Sequence, residues 1–158
     1  MHKFILVFLL ALSQWAMPAM ALVAGDDAHH ITNVMKQQFD RPDAPLTVDP
    51  VTVVGSYAVA SWTQAGKGGR ALLQRDKDRW VISVCGGDGL TRADVLQTTG
   101  MGADAAQKLA KAVTAAEAKL GADKRKLFAS FEGMVKVDAA ADHSRHVQHG
   151  AHAAPGKL

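Results

Sequence analysis

From Val51 to Cys85 the apolar side chains recur at every second position, and turn-forming clusters cut the run into short pieces. Val51–Val54 and Tyr57–Thr63 are separated by Gly55-Ser56, a two-residue hairpin signal. Ala65-Gly66-Lys67-Gly68-Gly69 reads as a loose turn before Arg70–Arg75, and Asp76-Lys77-Asp78 turns the chain again into Arg79–Cys85. A period of two sends successive side chains to opposite faces, so the stretch reads as an antiparallel meander of about four strands. In the last strand this alternation predicts Trp80, Ile82 and Val84 on one face and Val81, Ser83 and Cys85 on the other. Such a sheet must bury a face, and it needs another element to bury it against.

The element just upstream supplies that cover. Ile31, Val34, Met35 and Phe39 follow one another at helical spacing, and Asp26-Asp27 offers N-cap oxygens. The pattern predicts a helix from about Ala28 to Phe39, stopped by Arg41-Pro42-Asp43 with Pro45 close behind. After Gly86-Gly87-Asp88-Gly89 the chain turns helical. Thr91 with Asp94 suggests a capping box for a short helix that ends near Gly100. Asp104 to Leu120 carries Leu109, Val113, Ala116 and Leu120 on one stripe, with Gly121 as the stop. Asp123 is expected to cap a last helix that turns Leu127, Phe128, Phe131 and Val135 inward. The fold class is therefore α+β: a helix on an antiparallel meander over residues 22–90, then a helical part of the same domain over residues 91–137. A chain of 158 residues suits one such domain.

The two ends read differently. Met1–Ala21 has the parts of a secretory signal: His2 and Lys3, an apolar run from Phe4 to Leu12, and Ala19-Met20-Ala21 as a small-x-small cleavage site. The apolar run falls short of the roughly 20 residues that a membrane span needs. The expectation is cleavage after Ala21 and an exported product, in a bacterial periplasm, that is not embedded in the membrane. From about Asp138 the composition shifts to Ala, His, Gly and Pro without periodicity, so residues 138–158 are expected to form a disordered tail. A net charge of +3 without a dense Lys/Arg stripe gives no reason to expect a nucleic-acid partner.

That tail holds the most informative side chains. His143, His146, His149 and His152 form an H-x2-H-x2-H-x2-H series. Neutral imidazole is the commonest protein ligand for Cu(II), Zn and Ni, and a chain with polyproline-like geometry returns to one face every third residue. A second pair, His29-His30, follows Asp26 and Asp27, although adjacent helical residues point about 100° apart. The plainer reading of that pair has one imidazole facing the core and the other facing water. Cys85, the only cysteine, ends a strand: it is either a buried inert thiol or a soft ligand suited to Cu(I). The candidate metal ligands are thus His143, His146, His149, His152, Cys85, His29 and His30. Catalytic motifs are weak, since the only histidines outside the tail and leader are His29 and His30, and no nucleophile elbow or phosphate loop is present.

The segments Ala60-Ser61-Trp62-Thr63-Gln64, Gly68-Gly69-Arg70-Ala71-Leu72-Leu73, Trp80-Val81 and Cys85-Gly86-Gly87-Asp88 carry a resemblance, as do Asp26–His30 and Phe39–Leu46. They resemble small exported proteobacterial proteins described as copper uptake system-associated proteins. The resemblance covers roughly residues 26–90 well and the Ala-rich helix more loosely. It implies a non-enzymatic periplasmic accessory to copper uptake, with His29, His30, Cys85 and Asp88 as marked positions. Its partners would be the copper ion and a membrane copper transporter or periplasmic copper chaperone, and zinc or nickel stay open as the metal. The order of helix and meander is also similar to cystatin-like and NTF2-like domains. That likeness suggests the alternative, a metal-independent interaction or small-ligand module that uses a sheet face around Tyr57, Trp62 and Arg70.

Overall fold

The computed structural model describes residues 20–137. The tail histidines His143, His146, His149 and His152, and the leader up to residue 19, lie outside the described residues. Helix α1 (Met20–Phe39) leads into strands β1 (Thr47–Val54), β2 (Tyr57–Gln64), β3 (Lys67–Asp76) and β4 (Arg79–Gly86). A 3-10 turn at Asp88–Thr91 precedes helices α2 (Ala93–Gln97), α3 (Ala103–Glu117) and α4 (Ala122–Ala129), and β5 (Met134–Lys136) closes the order. The fold is α+β: a helix, a five-stranded antiparallel sheet in the order β1-β2-β3-β4-β5, and further helices.

Both faces of the sheet are covered, not one. On the first face α1 sets Ile31 and Met35, one turn apart, onto Ala58, Ala60, Ala71, Leu73, Trp80, Ile82 and Cys85. On the second face Val59, Leu72 and Val84 meet Leu90, Leu96, Met101, Leu109 and Val113 from the C-terminal helices. This two-sided burial explains why β3 carries an unbroken buried run from Gly68 to Leu73 where a half-exposed strand would alternate.

Two irregularities set which residue faces which layer. Leu72 pairs with Val84 and Leu73 with Ile82, so Ser83 is an extra residue on β4. The bulge corrects the face assignment made from strict alternation. Trp80 and Ile82 share the α1 face with Cys85, while Val84 points to the other layer. A second shift falls between Val48 and Val51 on β1, around the cis peptide Asp49-Pro50. The turn after β2 is also tighter than expected. Ala65 and Gly66, with φ of 48° and 73°, form a two-residue loop, and Lys67-Gly68-Gly69 belong to β3.

Four further expectations change. The helix of α1 starts upstream, so Asp27 lies inside it and serves as no cap; it is buried against the sheet. Thr91 donates its hydroxyl to the carbonyl of Asp88, and Arg92 takes the N-cap position of α2, so the capping box does not form. The last helix ends at Ala129, and Val135 lies on an exposed strand rather than on a buried helical face. Gly121 precedes α4 as its N-cap residue, while α3 ends earlier, at Glu117.

Asp27 joins α1 to the far hairpin. Its Oδ1 accepts the Trp80 indole N–H at 3.0 Å, and its Oδ2 meets the Arg75 guanidinium at 2.5 Å. Arg75 in turn lies over the Trp80 ring, 4.4 Å from its centroid. Burial alone would raise the Asp27 pKa, but the bonds from Trp80 and Arg75 and the Arg75 charge overcome it and hold the carboxyl below its usual 3.8. The unfolded chain therefore binds this proton at higher pH than the folded chain does. The stabilisation is present above about pH 4 and fades as pH falls through the lowered folded value. In acid titrations followed by circular dichroism, Asp27→Asn should lower stability at pH 7 and make the acid limb shallower. An acid limb of unchanged slope would contradict this account.

Candidate functional site

Glycines shape the wall between the sheet and the C-terminal segment. Gly69 pairs with Trp62, and a Cβ there would come within 2.8 Å of the indole and 3.1 Å of Phe131. A Cβ on Gly68 would meet the Leu127 backbone at 2.8 Å, and one on Gly87 would run into the Phe131 carbonyl oxygen. Without side chains at these positions, α4 and Phe131 come directly onto β3 and the end of β4. Trp62 then meets Phe131 edge-on, with ring centroids 6.1 Å apart and planes at 82°. Much of the sequence pattern behind the family resemblance, Gly68-Gly69-Arg70 and Cys85-Gly86-Gly87-Asp88, is thus occupied in joining elements.

Beside this wall lies a cavity of about 280 Å³ on the α1 face, lined by Phe39, Leu46, Trp62, Gln64, Cys85, Phe131, Val135 and Val137. Its walls come from the end of α1, from β2 and β4, and from the chain around β5. Gln64 secures one side by donating both amide hydrogens, to the carbonyls of Phe39 and Ala44, each at 2.8 Å. The indole N–H of Trp62 is buried and has no hydrogen-bond partner among the described residues. Cys85 is buried here, and desolvation pushes its thiol up to about 11. The neutral thiol therefore predominates near pH 7, which suits neither nucleophilic attack nor ready ligation of a metal.

The second face holds a buried ionic cluster. Arg70 on β3 grips Glu117 of α3 with two hydrogen bonds, Nε to Oε1 at 2.8 Å and Nη2 to Oε2 at 2.7 Å. Ser61 donates its hydroxyl to the same Oε1 at 2.7 Å. The remaining nitrogen of Arg70 reaches the Asp88 carboxylate at 3.1 Å and the Phe128 carbonyl at 3.3 Å. Its guanidinium also lies over the Phe128 ring, 5.7 Å from the centroid. Arg70 and Glu117 are only 3% and 4% exposed, so each neutralises a charge the other would leave stranded. Asp88, marked by the resemblance, is engaged in this cluster.

His29 and His30 correct another expectation: both are exposed, and neither faces the core. His30 lies 3.6 Å from Asp26, and His29 lines a shallow depression with Val48, Asp49 and Pro50. They do not approach Cys85. Phe39, which shares the cavity with Cys85, is ten residues further along α1 than His29, about 15 Å of helix. Among the described residues no three His, Cys, Asp or Glu side chains gather where they could hold a metal ion. The proposed sheet face around Tyr57, Trp62 and Arg70 does not exist as one surface. Trp62 lines the cavity on the α1 side, whereas Arg70 is buried on the opposite side, and both faces are covered.

The residue missed in the sequence is Glu117. Leu109, Val113 and Glu117 stand four apart, so a carboxylate continues the apolar stripe of α3. An arginine inside the apolar run of β3 was the matching signal. Comparison of the chain with protein-family models, curated proteins and solved structures finds no match.

Two measurements follow from this geometry. Arg70→Met should destabilise the protein by about 3–5 kcal/mol, because it leaves the Glu117 carboxylate buried without its partner. The double change Arg70→Met, Glu117→Met should recover most of that loss in urea denaturation. A double mutant no more stable than the single one would remove the ion pair from this role. Separately, Cys85 should react with iodoacetamide at pH 8 at least about tenfold more slowly in the folded protein than after unfolding in urea. Equal rates would mean an accessible, activated thiol.

Proposed function

We propose that the chain is an exported, non-enzymatic copper-handling accessory protein, of the kind that delivers the ion to an uptake system in the periplasm. The observation that carries this reading is the H-x2-H-x2-H-x2-H series at His143, His146, His149 and His152. The family resemblance over residues 26–90 supports it, and so does the leader-like Met1–Ala21. Capture is assigned to the imidazoles of the tail, which suit Cu(II), zinc or nickel. Cys85 is the weaker candidate, because Cu(I) ligation uses a thiolate and burial holds this thiol protonated. His29 and His30 are open to solvent and remain available as an auxiliary pair. Delivery would be to a membrane copper transporter or a periplasmic copper chaperone.

A second reading, a metal-independent module of NTF2-like or cystatin-like type that binds a small ligand or a protein, is favoured by the cavity beside Trp62 and Cys85. Chelator competition separates the two. The mature chain should bind Cu(II), and the form truncated after Asp142 should lose at least about tenfold in affinity, with Cys85→Ser behaving as the unmodified chain. Binding that survives truncation would move the site into the folded domain. Absence of binding to either form would overturn the copper reading.

A further inference from the structure

The cavity on the α1 face is defined by what its lining lacks. Phe39, Trp62 and Phe131 supply aromatic surface, and Leu46, Val135 and Val137 supply aliphatic surface. Gln64 has both amide hydrogens committed to backbone carbonyls. The indole nitrogen of Trp62 is shut off from solvent, so Trp62 presents no donor to a molecule in the cavity. Cys85 offers a neutral thiol, a weak donor, and its raised pKa reports the same poor solvation. No lining residue carries a side chain that is charged near neutral pH.

Such a lining has little with which to compensate a polar ligand. A carboxylate or ammonium group would lose its water without gaining a counter-charge, and a hydroxyl would lose hydrogen bonds to water without a replacement. A hydrocarbon gives up nothing of that kind and gains about 25 cal/mol for each Å² of apolar surface buried. The volume of 280 Å³ is ample for one, since an apolar cavity of about 150 Å³ already takes up benzene.

Two other occupants fit poorly. The chain's own C-terminal segment, residues 138–158, has Val147 and Leu158 as its large aliphatic side chains, among histidines and other polar or small residues. A second copy or another protein would need apolar surface around the mouth, and among the described residues the exposed large apolar side chains are Met134 and Val135. Two side chains fall far short of the roughly 800 Å² that each partner brings to a standard interface.

We propose that this cavity is a binding site for a small uncharged hydrocarbon, on the order of ten non-hydrogen atoms, held by burial of apolar surface without a hydrogen bond. The proposal rests on the second reading above and is independent of copper capture by the tail.

Cumene, 2-phenyl-2-propanol and 2-phenylpropanoate share one frame and differ by a hydroxyl or a carboxylate. Each is titrated into the mature chain with labelled methyl groups and followed by NMR. Cumene should bind and move the methyl resonances of Leu46, Val135 and Val137, while those of Val59, Val84 and Leu109 on the second face stay in place. The alcohol should bind about tenfold more weakly, the cost of a hydroxyl buried without a partner. The carboxylate should bind at least about a hundredfold more weakly. An alcohol that binds as tightly as cumene would reveal a polar partner in the site and overturn the hydrocarbon assignment, with the small-ligand reading left standing. Shifts confined to the second-face methyl groups would place the molecule in the other core and overturn the site. Cumene binding only to the form truncated after Asp142 would make the tail the occupant and overturn the proposal. Binding of none of the three to either form would overturn the small-ligand reading as well.

Discussion

Arg70 sits where four segments cross, and the C-terminal half of the molecule is organised around its charge. It stands on β3, grips Glu117 on α3, reaches Asp88 at the start of the 3-10 turn, and donates to the carbonyl of Phe128 on α4. A guanidinium this deeply buried is tolerated only with its charge matched and its hydrogens placed, so the segments around it have little freedom to shift independently. The neighbouring glycines make the arrangement sterically possible. Gly68 and Gly87 leave room for the backbones of Leu127 and Phe131 to rest on the sheet. The charged cluster and the glycines act together: the first ties α3 and α4 to β3, and the second lets α4 and the chain after it lie close to the sheet.

The same arrangement produces the cavity as a by-product of its geometry. Phe131 is held against Gly69 and Trp62, and the chain then turns back through β5 to pair with β4. Between that returning chain and the end of α1 a space remains, closed at one side by the Gln64 amide tie. Cys85 enters this space because of the Ser83 bulge, which rotates the end of β4 by one residue. Burial in apolar surroundings then raises the thiol, so the one cysteine behaves as a small hydrophobic side chain. The chemistry that suits soft metals is in this way muted by position, while the histidines with metal-ligand spacing are concentrated at the far C-terminal end of the sequence.

Much of the fold was legible because local patterns and tertiary demands agree. Ile31 and Met35 have helical spacing and are buried on one stripe. The runs around Tyr57–Gln64 and Arg79–Gly86 are strands, and Gly55 with its left-handed φ of 60° marks the first hairpin. The candidate site was less legible. Strict alternation placed Cys85 opposite Trp80, and the single inserted residue at Ser83 reversed that relation without any change in composition to announce it. Nor did the sequence show that Phe131 would leave the helical pattern and come to lie beside Trp62, because that contact depends on absent side chains at Gly69 and Gly87.

What the sequence determined by itself is the kind of element at most places up to α4, since periodicity and turn residues act over a few neighbouring positions; the strand Met134–Lys136 lies where a helix was expected. It determined also the chemical inventory: one thiol, a His-x2-His tail and a His pair on an amphipathic helix. Tertiary structure alone decided which side chains meet. Glu117 and Arg70 are 47 positions apart, and Trp62 and Cys85 stand on strands separated by β3. Their partnership arises from sheet register, a bulge and the close approach of two helices. Those are properties of the packed layers rather than of any local run of residues.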